Sequence, residues 1–352
     1  MTTMTQPNPM PDPMPSDLDP THLDDVARLT KDLATAAATL SDAEARYLVD
    51  AYYAVQGYRI AAGNQVSALS KSGEPHAVLA WLLRQQETVE SQIRRALDRW
   101  TDQSIVGRWS KSIIGIGPVL AAGLLAHIDI ERAPTVGHIW RFAGLDPTVI
   151  WLGRDGAERV VNEVFEKYGV GKGDPVPAEV IAALAIRTNR KPEAIRRLGE
   201  DRKTGKITRA SLITGLARRP WNTPLKTLCW KIGESFVKVQ AHPQDFYGRL
   251  YAQRKAIEEE RNANGAFAEQ AKAALAAKRY GVDTEARARY ERGELPQARL
   301  HLRATRYATK LFLAHWHHVA YEVRYGIPPP LPYVIAHQDH GTLIKPPHWP
   351  ME

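Results

Sequence analysis

The stretch Ser112-Ile113-Ile114-Gly115-Ile116-Gly117-Pro118-Val119-Leu120-Ala121-Ala122-Gly123-Leu124-Leu125 decides the reading of this chain. A short apolar approach meets a glycine pair, and a segment with small residues at 121–123 follows. The spacing predicts two helices joined by a hairpin. Gly115 and Gly117 reach backbone torsions closed to other residues and let a phosphate approach the main chain, while Pro118 suits the first turn of the next helix. The first amides of that helix point outward and, with the helix dipole, form an anion site that needs no side-chain charge. Ile114, Gly115, Ile116 and Gly117, with Lys111 just upstream, are therefore candidate DNA-binding residues. A grip on the backbone ignores sequence, so the expectation is nonspecific, salt-sensitive binding. The plain alternative is a Gly-X-Gly-Pro turn between two core helices.

Outward from this motif, charge is unevenly spread. The 352 residues carry a formal net charge of +8, which suits polyanionic partners. Residues 1–50 hold nine acids against three bases, whereas residues 187–231 hold thirteen Lys or Arg against Glu193, Glu200 and Asp201. That basic density is typical of a phosphate-contacting surface. Arg190, Lys191, Arg196, Arg197, Arg202, Lys203, Lys206 and Arg209 complete the candidate DNA-binding set. A single cysteine, Cys229, excludes an intramolecular disulfide framework and any multi-cysteine zinc site; a buried thiol is its expected role. No run approaches the roughly 18 apolar residues that a membrane span needs, so a cytoplasmic protein with no membrane partner is expected.

The pattern along the chain predicts a mainly α protein. Residues 1–22 read as a disordered acidic tail, and 23–103 as a helical pair or coiled coil. Within that pair, Ser41 and Glu44 form a capping box for one long helix to about Ser70. Val78, Leu82, Val89, Ile93, Ala96 and Trp100 then form a heptad stripe, whose partner is either the first helix or a second copy of the chain. Homo-oligomerisation through helices is expected on the second option. Residues 104–156 hold the helix-hairpin-helix, and glycines at 153 and 156 mark a boundary or β-turn region. Residues 157–220 form a basic helical insertion. There Val160, Val161, Val164 and Phe165 do not separate a strand from helical turns, and 178–198 is either a helix-turn-helix or a plain basic hairpin. Residues 221–326 read as a C-terminal helical bundle, and 327–352 as an irregular Pro- and His-containing tail.

Over Gly115–Pro147 the chain resembles the C-terminal transposase domain of the insertion-sequence one-ten family. The residues that carry the likeness are Gly115 to Ile128, then Asp129-Ile130-Glu131-Arg132-Ala133-Pro134-Thr135, then Phe142-Ala143-Gly144-Leu145-Asp146-Pro147. A weaker likeness covers 222–250 and Tyr307-Ala308-Thr309-Lys310-Leu311. The resemblance implies a mobile-element recombinase with an Asp-Glu-Asp-Asp catalytic domain of ribonuclease-H-like fold and a serine nucleophile. Two departures stand against it. The residues before the hairpin are helical and offer no strand bearing the four acids. After Pro147 the chain reads Thr148-Val149-Ile150-Trp151-Leu152-Gly153-Arg154-Asp155-Gly156, with Thr148 the sole hydroxyl and no serine. No catalytic residue, metal site or cofactor is therefore assigned.

Other chemistry is not supported by the spacing. His315, His317 and His318 lack the i, i+4 pairing of helical metal sites, and His337 and His340 follow in the tail. Gly169-Val170-Gly171-Lys172-Gly173 lacks the phosphate-loop spacing. Three readings result: a transposase-related protein that binds DNA, or structured RNA, during transposition or recombination; an active transposase that borrows catalytic acids from a partner subunit; or a helical protein-binding scaffold.

Overall fold

The computed structural model describes residues 30–73, 77–171, 173–277, 280–331 and 343–351. The expected acidic tail, His337 and His340 lie outside the described residues. Among those described there are fifteen α-helices and no strand, only an isolated antiparallel bridge between Glu200 and Ile207. The mainly α expectation holds. The chain divides into two compact units, one ending at Ser104 and the other beginning at Ile105.

The first unit contains α1 (Lys31–Ala36), α2 (Asp42–Leu69) and α3 (Ala77–Asp102). Ser41 caps α2 as the sequence predicts: its hydroxyl accepts from the Glu44 amide, and its own amide donates to Glu44 Oε2 at 2.8 Å. α3 packs on α2 of the same chain. Gln56 donates to Glu90 Oε1 at 3.2 Å, Arg59 pairs with the same carboxylate, and Trp100 Nε1 donates to the Leu40 carbonyl at 2.8 Å. The heptad stripe is only half covered. Ala96 is buried, but Val78 and Leu82 stay 47% and 38% exposed, because α3 turns Gln85, Ala96, Leu97 and Thr101 inward.

The second unit begins with α4 (Ile105–Ser112), α5 (Pro118–His127), a 3-10 turn (Ile130–Arg132) and α6 (Val136–Phe142). Next come α7 (Gly153–Lys167), α8 (Ala178–Thr188), α9 (Pro192–Gly199) and α10 (Arg209–Ala217). The chain closes with α11 (Thr223–Val239), α12 (Tyr247–Ala263), α13 (Ala268–Ala277), α14 (Glu285–Glu291) and α15 (Gln297–Tyr325). The glycines at 153 and 156 lie in the first turn of α7 rather than at a turn between domains. Val160, Val161, Val164 and Phe165 are successive contacts of one helical face, buried with Val180, Ile181, Leu184, Ile195, Leu212 and Leu216 of α8, α9 and α10. Neither α10 nor α14 was expected. Each is too short to show a period of its own.

α15 is the spine. It buries Leu300, Ala304, Ala308 and Phe312 at four-residue intervals, and α4, α6, α11 and α12 pack on it. Phe236 of α11 stacks on Tyr247 at 4.8 Å, Phe312 meets both edge-on, and Trp109 of α4 lies parallel to Phe312 at 6.0 Å. This aromatic knot fixes α4, and with it one arm of the hairpin. Of the three histidines on α15, His315 and His317 are buried, and His318 is partly exposed. His315 Nε2 donates to the Ile344 carbonyl at 2.8 Å, so its Nδ1 accepts from the Tyr247 hydroxyl at 2.6 Å. Burial, set against that carbonyl bond, brings its pKa down to about 4. Cys229 is likewise buried, with its thiol pushed up to about 12.

Candidate nucleic-acid interface

α4 and α5 are joined by residues 113–117, with the Ile116 amide donating to the Ile113 carbonyl at 2.9 Å to close the turn. Ile113 and Ile116 are buried, Lys111, Ile114 and Gly115 are partly buried, and within this group Gly117 alone is exposed. The two glycines do different work. Gly115, at φ +95°, is wedged on α11: a Cβ there would sit 3.2 Å from Ser235 Oγ and from Val239 Cγ2. Its carbonyl accepts from the Ser235 hydroxyl at 2.6 Å. Gly117 caps α5 with no side-chain bond, and a Cβ there would meet nothing within 4 Å. On the side where a Gly117 Cβ would stand, the start of α5 is therefore uncovered by neighbouring atoms. Further along α5, Gly123 lets the helix close onto α11, where a Cβ would come 2.6 Å from Leu228 Cδ2.

The basic segment builds a second feature. Asn189 ends α8 in the left-handed conformation, at φ 51°, which asparagine tolerates better than most residues, and Pro192 opens α9. This tight reversal aligns α8, α9 and the 218–220 segment along a groove of about 1020 Å³. Arg141, Arg190, Lys191, Arg197, Arg218 and Arg219 line it, and among the described residues no aspartate or glutamate does. Burial, and then the Arg141 charge, hold the Arg190 guanidinium below its ordinary pKa. Asp146 lies 3.9 Å from Arg141. Arg197 continues into a hollow of about 460 Å³ with Arg132 and His138, and into another of about 1030 Å³ with Arg202, Lys203 and Arg218. Two acids, Glu200 and Asp201, also line this last hollow, and Asp201 Oδ1 accepts from the Lys203 and Thr204 amides.

The structure thus brings together Arg190, Lys191, Arg197, Arg202 and Lys203, while Arg196 and Lys206 are exposed without lining any of these hollows. Arg209 points inward: its Nε donates to Asn162 Oδ1 at 2.9 Å and its guanidinium lies over the Phe165 ring. Arg218 and Arg219 were visible only as part of the basic count. Arg141 had no local signal, since it stands outside the charged run. The hairpin and the groove are apart. Gly115 touches Ser235 and Val239 near the end of α11, and the groove reaches Pro220 just before its start, about 22 Å of helical rise away.

Three indoles each carry a cation, and the cation of one pair, Arg219, lines the groove. The Arg219 guanidinium lies 5.2 Å from the Trp151 ring centre, Lys226 Nζ 3.7 Å from that of Trp221, and Lys310 Nζ 4.0 Å from that of Trp140. Trp151 donates its N–H to the Ala217 carbonyl at 2.8 Å and meets Trp221 edge-on at 6.1 Å. Burial and the charges of Arg306 and Arg219 hold the Lys226 ammonium below its ordinary range. Thr148, the sole hydroxyl within 148–156, donates to Asp146 Oδ1 at 2.7 Å within a local turn. Among the described residues no group of three or more His, Cys, Asp or Glu could hold a metal ion, and no helix is long and apolar enough to cross a membrane.

Residues 107–159 match the model of the Transposase IS116/IS110/IS902 family. No curated protein and no solved structure matches the chain. The matched segment runs from α4 into α7, so it contains the hairpin, Arg132, His138, Arg141 and Thr148. The groove cations from α8 onward lie outside it. The likeness to the Transposase IS116/IS110/IS902 family is thus carried by residues 107–159, the segment that holds the α4–α5 turn.

Proposed function

We propose that this chain binds DNA by its phosphate backbone during transposition or recombination. It uses the helix-hairpin-helix amides at Gly117 and the groove between α8, α9 and residues 218–220. The observation that carries the reading is six cations lining one groove with no acid among them, where half-buried Arg190 faces the repulsion of Arg141. Such crowding is unfavourable in the free protein and is relieved by an anion. The two features stand about 22 Å of helical rise apart along α11, within the length of one duplex turn of about 34 Å. Neither contact reads base edges. Val78 and Leu82, left exposed on α3, support self-association through the helical pair.

The test is binding of random-sequence duplex by the full chain, measured by fluorescence anisotropy. Arg197→Glu combined with Arg218→Glu should weaken binding at least about tenfold with unchanged far-ultraviolet circular dichroism. Gly117→Glu should weaken it as well. Duplex affinity that survives all three changes overturns the reading in favour of a protein-binding scaffold.

A further inference from the structure

We infer that the groove between α8, α9 and residues 218–220 holds an unpaired nucleic-acid strand, with its bases on an apolar floor and on Trp151. This rests on the DNA-binding reading above and adds the form of the strand to it. The argument starts from what lies between the cations. Val149, Ala182, Ala185, Ile186, Leu198 and Pro220 share the groove with the arginines. Ile186 is 83% exposed, Ile150 beside the groove 60%, and Trp151 43%. A duplex presents phosphate and sugar to such a surface and leaves these aliphatic and aromatic groups unused. An unpaired strand is amphipathic: its phosphates meet the cations while its base faces find apolar and aromatic partners.

Geometry supports the same occupant. The groove volume of about 1020 Å³ stands at the top of the roughly 300–1,000 Å³ of small-molecule sites, which suits a run of several units over a single small ligand. Trp151 is held in place before any ligand arrives. Its N–H is fixed by the Ala217 carbonyl, Trp221 braces it edge-on, and Arg219, which lines the groove, lies over its ring. A rigid indole beside a guanidinium is a sequence-tolerant stacking platform, since every base offers a π face.

The test compares a blunt duplex with the same duplex carrying a short oligothymidine overhang, both bound to the full chain. The overhang should raise affinity about tenfold, the scale of one stacked base. Trp151→Ala and, separately, exposed Ile186→Glu should bring the ratio of the two affinities close to one, and Trp151→Phe should retain most of the gain. If the blunt duplex binds but the overhang adds nothing, this inference is overturned while the DNA-binding reading stands. If neither binds, the DNA-binding reading fails first. Displacement of the overhang by an acidic peptide as readily as by free oligothymidine would show a site that reads charge alone, and would also overturn the inference.

Discussion

The Ser235 hydroxyl of α11 donates to the Gly115 carbonyl of the hairpin at 2.6 Å, across 120 positions of sequence. The bond fixes the α4–α5 turn to the bundle through the less exposed of its two glycines. Gly115→Ala, with φ at +95° and two atoms at 3.2 Å from the new methyl, should cost about 1–3 kcal/mol in urea denaturation. Gly117→Ala, at φ −90° in open space, should stay within about 0.5 kcal/mol. Equal costs at the two positions would contradict their assigned roles.

Gly123 and Leu228 give a second check on how α5 is seated. A methyl at Gly123 lands 2.6 Å from Leu228 Cδ2, so Gly123→Ala should destabilise by about 1–3 kcal/mol. Adding Leu228→Ala should cost less than the two single changes summed, because the second makes room for the first. Strict additivity in the double-mutant cycle would show that the helices relax apart instead.

Much of the architecture was legible because it is local. The Ser41–Glu44 box, the long helices α2 and α3 and the Gly117-Pro118 start of α5 each depend on residues a few positions apart. The groove is not local. Arg141 joins Arg190 and Arg197 only because the α8–α9 reversal and α6 meet in space, and no periodicity reports that. The contacts of Arg209 are non-local as well: Asn162 and Phe165 of α7 hold it. The run from Val160 to Phe165 stayed ambiguous because four apolar residues in six positions suit either a buried strand or one packed helical face.

Glu258 lies fully buried in α12, paired with Arg303 at 2.7 Å and with Arg254. Burial pushes its carboxyl up, but the two arginines outweigh that and hold it below its ordinary value. The stabilisation is therefore present above the unfolded carboxylate pKa of about 4.3 and is lost as pH falls through the folded value. Glu258→Gln should cost roughly 2–3 kcal/mol, less than a wholly buried pair because both arginines remain about a third exposed. A neutral effect in chemical denaturation near pH 7 would contradict this role.

His315 supplies a pH dependence in a higher window. Its pKa is brought down to about 4 by burial, so the folded protein keeps it neutral while the unfolded chain takes a proton near pH 6.5. Stability should be undiminished above about pH 6.5 and fall by about 3 kcal/mol toward pH 4 on this account alone. His315→Gln should flatten that part of the stability–pH curve, even if it lowers the whole curve. A slope between pH 6.5 and 4 that is unchanged in the variant would assign the effect elsewhere.

The central claim, that the arginine-lined groove is a phosphate site, is tested most directly by the salt dependence of duplex binding. The logarithm of affinity should fall linearly with the logarithm of salt concentration between about 50 and 200 mM, with a slope of about −0.9 for each phosphate engaged. Neutralising Arg190 and Arg197 together, as Arg190→Gln and Arg197→Gln, should make that slope shallower by about two. A slope that is flat in the native chain, or unmoved by the double substitution, would contradict the account.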